Sequence, residues 1–360
     1  MKPDKFLKIN DSTHMKNLLV FLLLNLLCLS VQGATLEFAF QLGIKQEPRL
    51  DRLLPDVTRR MAFNKDSTKL ITRGMGGSVV AWDIGNRQKR EIGAIHAKRW
   101  FAYSTGTDRL LTRDADDNIT ILSIGSGDEV PLTNGQYESG SLSGDGTLAV
   151  LSKGDDEIEV WRLVGQRLKT AMREESARRL KTLQTSFPVR NGLTLSDDGR
   201  FLAAAEGSYR DGEGHRTAVE VWNTTNERPT YTFDTGEILG IWNVLFSPDA
   251  TLLAVDTQKN TQSGICVWEI GTGRRRLAKG GFEAYWTRAL AFSPTSDYLA
   301  SGGEVGNLRV WDISEGESVI WETYSTGIQA LAFSPNGEYL AVALWDTTIQ
   351  ILYWKVNNER

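Results

Sequence analysis

The sequence predicts an all-β fold: a seven-bladed β-propeller of four-stranded antiparallel blades, closed by an N-terminal strand. Two recurring phrases and their spacing carry the prediction. The first, Phe-Ser-Pro, stands at Phe246, Phe292 and Phe333 after alternating apolar residues, with weaker copies at Phe63, Tyr103, Leu142 and Leu195. The second, a β-branched residue or alanine followed by tryptophan, stands at Trp82, Trp161, Trp222, Trp268 and Trp311, with Leu122 and Leu352 in the same slot. From first phrase to second the distances are 19, 19, 19, 27, 22, 19 and 19 residues. Seven such units of about 40–45 residues, each with room for four short strands, are the pattern of propeller blades.

Each unit justifies its strands in turn. Alternating apolar residues form the first strand and end in a turn of the Ser-Pro-Asn-Gly type. A small apolar strand follows (YLASGG, YLAVAL, LLAVDT), in which Ala300, Ser301, Ala341 and Ala343 let neighbouring blades approach. A third strand ends in the tryptophan slot (NLRVWD, GICVWE, AVEVWN), and its large side chain is expected to fill the wedge between blades. A Gly-rich turn then leads to a more polar fourth strand such as REIGAI or SVIWET.

The last unit lacks room for its fourth strand, because residue 360 falls where that strand is due. Residues 36–42, LEFAFQL, alternate in polarity and have no partner in their own unit. Their pairing with the strand around Ile349 and Leu352 is expected to close the ring and leave no sheet edge bare. Ahead of them, Met15-Lys16 precedes an apolar run from Leu18 to Val31, followed by Gly33 and Ala34. Residues 1–33 therefore read as leader and signal peptide, with Met15 as an alternative start and cleavage after Gly33. The run is short of the roughly 20 residues of a membrane span. The expectation is an exported protein, periplasmic or extracellular, with a single propeller domain over residues 34–360 and no span after cleavage. Cys28 leaves with the leader and Cys266 stands alone, which excludes an internal disulfide. Without the leader the net charge is about −6, which gives no footprint for nucleic acid.

Over roughly residues 36–360 the chain resembles the WD40 repeat family. Trp82-Asp83 and Trp311-Asp312 carry that family's name dipeptide, while the other slots read Trp161-Arg162, Trp222-Asn223, Trp268-Glu269, Leu122-Ser123 and Leu352-Tyr353. The family's Gly-His dipeptide is missing, and its turn aspartate survives as Asp116, Asp155 and Asp346. Only His96 is placed to reach such an aspartate, Asp116. The resemblance implies a scaffold that binds through the top rim of the propeller. It also implies a slot facing the top mouth of the central channel, occupied here by Arg59, Arg99, Glu138, Asn191, Trp242, Arg288 and Gln329. Trp286 and Trp345 stand nearby on the neighbouring blades 6 and 7. Tryptophans beside an arginine resemble the anchors of binding hot spots.

Three units depart from the common length. The turn at 206–217 (EGSYRDGEGHRT, containing Tyr209) and the turn around 259–263 are longer than their counterparts. A basic piece at 170–187 is expected to hold a short helix, and all three departures are expected on the top rim. The candidate partner-binding set is thus Trp242, Trp286, Arg288, Trp345, Arg59, Arg99, Gln329 and Tyr209. No catalytic, cofactor or metal motif accompanies it. The mature chain has only His96 and His215. The run from Asp114 to Asn118 is followed by Ile119 where a calcium loop requires glycine. No Gly-x-Ser-x-Gly elbow or Walker loop occurs. Two classes of function remain. One is a non-catalytic, monomeric scaffold for a protein or peptide. The other is an exported propeller enzyme, of hydrolase or quinone-dependent dehydrogenase type, with a site at the central channel, where the slot ring offers only Glu138 and the neighbouring Asn191.

Overall fold

The computed structural model describes residues 34–42, 58–94, 102–113, 116, 118–163, 177–189, 192–205, 215–238, 240–259, 262–284 and 286–356. These residues form 28 strands in seven four-stranded antiparallel sheets, with no helix among them. Blades 1 to 6 occupy residues 58–94, 102–133, 139–184, 193–238, 244–284 and 287–323, with their strands in chain order. Blade 7 takes three strands from 328–356, and its fourth is Ala34–Leu42, antiparallel to Ile349–Val356.

The closing strand runs from Ala34 opposite Val356 to Leu42 opposite Ile349, with a register shift between Phe38 and Phe40. Leu36 packs against the apolar cluster between blades 6 and 7, and Ala39 against the cluster between blades 7 and 1. The strand therefore covers an edge and joins two blade interfaces at once.

The core is a ring of seven apolar clusters, one in each interface between neighbouring blades. The tryptophan slot places one side chain in each cluster. Trp222, Trp268, Trp311, Leu122 and Leu352 are buried there as expected. Trp82 and Trp161 are only half-buried, which corrects the expectation for those two. Polar partners hold their indoles. Trp161 Nε1 donates to Glu159 Oε2 at 3.0 Å and Trp82 Nε1 to Thr72 Oγ1 at 3.0 Å. The small residues Ala300, Ser301, Ala341 and Ala343 are all buried, as close blade packing requires.

The turns between first and second strands gather on one rim, here the lower one. Asp145 shows their construction: its carboxylate accepts from Ser143 Oγ, Thr147 N and Thr147 Oγ1, which ties the turn to itself. Asp249 and Asp198 repeat the arrangement. Neighbouring turns interlock through backbone bonds from Lys65 N to Thr105 O, Gly106 N to Gly144 O and Asp145 N to Asp197 O. Blades 5 to 7 place Pro248, Pro294 and Pro335 where Lys65 donates, and proline has no N–H to give.

The expectation of a short helix within 170–187 is corrected for residues 177–187, while 170–176 lie outside the described residues. Residues 177–184 are the fourth strand of blade 3, paired with Glu157–Leu163, and not a helix. Leu163 pairs with Ala177 and donates its N–H to Thr147 O, so the chain leaves and re-enters on the lower rim and not on the top rim expected. The surplus around 259–263 goes into two longer strands, Leu252–Lys259 and Gln262–Glu269. The leader, His96 and residues 206–214 lie outside the described residues.

Candidate functional site

The upper rim carries the entries to the first strands and the turns between second and third strands. In blade 5 Asp256 stands near the upper end of the second strand, where it is buried beneath the entry segment. Its Oδ1 accepts the N–H groups of Trp242 and Asn243, both at 2.8 Å, and its Oδ2 accepts Asn243 Nδ2 at 2.6 Å. Asn243 Nδ2 also reaches Arg288 O at 3.3 Å, and Asn243 Oδ1 accepts from Arg60 across the channel, from blade 1, at 3.0 Å. Burial pushes the Asp256 carboxyl up to about 6, against the pull of these donors and of the Arg60 charge.

This network fixes the backbone that presents Trp242. The Trp242 ring is 36% exposed and stacks on Trp286, with centroids 5.6 Å apart and planes 23° from parallel. The Arg288 guanidinium lies 4.7 Å from the Trp286 centroid, a cation–π contact. Arg288 is also paired with Glu304, with Nε to Oε1 at 3.1 Å.

Backbone contacts carry the surface on to blade 7. Glu304 N donates to Trp286 O, and Trp345 N donates to Gly327 O at 2.9 Å. Gly327 links the two, because a Cβ there would sit 2.7 Å from Glu304 O. Trp345 is 41% exposed. Among the described residues six large apolar side chains are exposed, and Trp242, Val305, Trp345 and Met75 all belong to this rim, on blades 5, 6, 7 and 1. Contiguous apolar surface edged by charge marks a contact site.

The rim surrounds a channel cavity of about 370 Å³. Arg60, Glu138, Trp242 and Asn243 line its upper part, and Asp197 lies at the lower turns. Burial, with Asp198 and Asp145 beside it, holds the Asp197 carboxyl above its ordinary value. Among the described residues no group of three or more His, Cys, Asp or Glu is arranged to hold a metal ion.

The structure thus brings Trp242, Trp286 and Arg288 together and continues the surface to Trp345. The cross-strand pairing skips Arg59 between Thr58 and Arg60, its side chain lies outside the described residues, and Arg60 lines the channel. Gln329 is corrected outright. It falls at the same irregularity in blade 7, between Ile328 and Ala330, and is 3% exposed with an unpartnered Oε1 among the described residues, so it offers nothing to a partner. Arg99, Asn191 and Tyr209 lie outside the described residues. Asp155 and Asp346 cap their own turns, accepting from Glu157 N and Thr348 N. Sequence reasoning missed Arg60, Asn243 and Asp256. One signal was available for Asp256, a lone carboxylate in the strand LLAVDT, whose counterparts in blades 6 and 7 are YLASGG and YLAVAL.

The family model for the WD domain, G-beta repeat, matches residues 282–312 and 318–352. WD repeat-containing protein SL1-17 of Schistosoma mansoni is 27% identical over 37% of this chain and 42% of its own length. Protein groucho of Drosophila melanogaster is 22% identical over 62% of this chain and 28% of its own. Small ribosomal subunit protein RACK1y of Oryza sativa subsp. japonica is 31% identical over 29% of this chain and 30% of its own. The chain spans less than half the length of each of these relatives.

Proposed function

The chain belongs to the WD40-repeat family, and we propose that it is a non-catalytic scaffold that binds a protein or peptide through its upper rim. The family supports a protein-interaction role in general. The observation that carries the specific reading is the Trp242–Trp286 stack with Arg288 upon it, held open to solvent by the buried Asp256–Asn243 network. A rigid rim loses little side-chain freedom on binding, and Trp and Arg carry a disproportionate share of interface energy. The apolar run at 18–31 supports an exported location, and we read the propeller as acting as a monomer.

The test compares partner affinity across two sets of variants. Trp242→Ala, Trp345→Ala and Arg288→Ala should each weaken binding at least tenfold, about 1.4 kcal/mol, while leaving the fold intact. Lys65→Ala and Glu338→Ala, exposed on the lower rim, should leave affinity within twofold. Equal losses from both rims would refute the assignment. Asp249 is unsuitable as a control, because its carboxylate ties its own turn together.

A further inference from the structure

Asp256 and Asn243 hold the backbone that presents Trp242, and the same pair also spans the channel. The two ends of an amide have the same shape, so its partners decide which way Asn243 points. Its Oδ1 accepts from Arg60 Nη1 of blade 1 at 3.0 Å. Its Nδ2 donates to Asp256 Oδ2 at 2.6 Å and to Arg288 O of blade 6 at 3.3 Å. A guanidinium only donates, while a carboxylate and a carbonyl only accept. All three bonds are therefore met in a single orientation of the amide, and only while Asp256 is ionised. Burial raises the Asp256 carboxyl to about 6, so mild acid is enough to protonate it. Oδ1 faces the N–H groups of Trp242 and Asn243, which leaves Oδ2 to take the proton. The new O–H then points at Asn243 Nδ2, a donor against a donor. Turning the amide over relieves that conflict and creates two others. Nδ2 now meets the Arg60 guanidinium, and Oδ1 meets Arg288 O.

We propose that Asp256 and Asn243 form a proton-operated latch across the channel. With Asp256 ionised, Asn243 ties blade 5 to the Arg60 guanidinium of blade 1 and to the Arg288 carbonyl of blade 6. With Asp256 protonated, the amide turns over and both ties are lost. The latch goes beyond the rim-binding reading and needs no partner. Trp242 keeps its backbone bond to Asp256 Oδ1 in either state, so the latch alters the channel mouth and leaves the aromatic stack in place. Arg60 is the charge that bears on Asp256, and Arg73 stands opposite Arg60 on the second strand of blade 1. On blade 6 Arg288 turns its guanidinium to Glu304. The third strand of blade 5 sets the uncharged Ile265 opposite Asp256. The outer strand of blade 4 packs through Phe233 in the cluster that holds Val255, and its Asp234 is exposed. Glu138 lines the same cavity as Arg60, and Asp197 lies at its lower turns.

The experiment compares crystals of the full chain at pH 7.5 and pH 4.5 with crystals of Asp256→Asn at pH 7.5. In that variant the N–H groups of Trp242 and Asn243 claim the side-chain oxygen, which puts an NH2 where Oδ2 stood. Asp256→Asn therefore copies the protonated acid at every pH. The contact between Arg60 and Asn243 should be present in the unaltered protein at pH 7.5. It should be absent at pH 4.5 and in Asp256→Asn. Urea midpoints give a second readout. Arg60→Met should lower the midpoint at least three times as far at pH 7.5 as at pH 4.5, and equally at both when Asp256→Asn is already in place. Simple attraction between Arg60 and an ionised Asp256 would give the same pH dependence, but it does not need Asn243. The pH dependence of the Arg60→Met effect should therefore vanish in an Asn243→Leu background. If Asn243→Leu does not fold, the crystal comparison decides alone. An Arg60–Asn243 contact that persists at pH 4.5 or in Asp256→Asn would overturn the latch, as would a pH dependence that survives Asn243→Leu.

Discussion

Replacing Trp311 tests the blade register more sharply than any other substitution. Its indole is 3% exposed and packs between blades 5 and 6 against Ile265, Val267, Leu290 and Phe292. Truncating a buried aromatic to alanine costs about 3–5 kcal/mol. Trp311 Nε1 also donates to Ser301 Oγ at 2.9 Å, and Ser301 is buried. Loss of that donor leaves the hydroxyl without it, a further cost of about 1–3 kcal/mol. Trp311→Ala should therefore lose about 4–8 kcal/mol, a large share of the 5–15 kcal/mol typical of a folded domain. Trp311→Phe separates the two contributions by keeping most of the apolar surface and removing only the N–H. Trp222 is the control: it occupies the same slot between blades 3 and 4, fully buried, with an Nε1 that has no partner among the described residues. Trp222→Phe therefore forfeits no hydrogen bond and should cost about 1–3 kcal/mol less than Trp311→Phe. Urea midpoints at constant slope measure both. A loss below about 1 kcal/mol for Trp311→Ala would show that the register is wrong, and equal losses for the two phenylalanine variants would refute the role of Ser301.

Three further outcomes are expected. Deleting residues 34–42 exposes Ile349–Val356 as a sheet edge and should lower the melting temperature sharply or cause aggregation; an unchanged melting temperature would contradict closure by this strand. The Asp256 carboxyl, at about 6 in the folded chain, lies above its unfolded value of about 3.9, so its contribution to stability is full below about pH 4 and is lost as pH rises through 6. Up to roughly 3 kcal/mol follows from that difference, and Asp256→Asn should flatten the fall in the urea midpoint between pH 4.5 and 7, whereas an unaltered slope would assign it to other groups. Protein purified without chelator should carry no stoichiometric calcium or transition metal by elemental analysis; one equivalent per chain, lost on Glu138→Ala, would favour an enzyme with a site in the channel.

The fold was legible because the propeller repeats its own evidence. The tryptophan slot and the Ser-Pro-Asn-Gly type turns recur at fixed spacing, and the orphan strand before them had only one open edge to cover. The position of the candidate surface was legible in part, since Trp242, Trp286 and Trp345 occupy no wedge position and so had to lie elsewhere. The channel wall was not. One extra residue at the start of the first strand in blades 1, 6 and 7 changes which side chain faces the channel, which is why Arg60 lines it and why Gln329 is buried. Such irregularities depend on pairing between strands, which spacing along one chain does not encode. Within the piece at 170–187, residues 177–184 misled because their basic residues suit a solvated helix face as well as the exposed fourth strand of a blade. There tertiary pairing with Glu157–Leu163 decides the outcome.

Site-specific photo-crosslinking tests the central claim, that a partner covers the upper rim, most directly. A photoreactive residue placed at Val305, exposed between Trp286 and Trp345 along the rim, should yield one discrete protein or peptide adduct in the native compartment. The same residue at Lys65 or Glu338 on the lower rim should yield none, and the Val305 adduct should fall at least tenfold when Trp242→Ala is added. An adduct formed equally from both rims, or one indifferent to Trp242→Ala, would contradict the account.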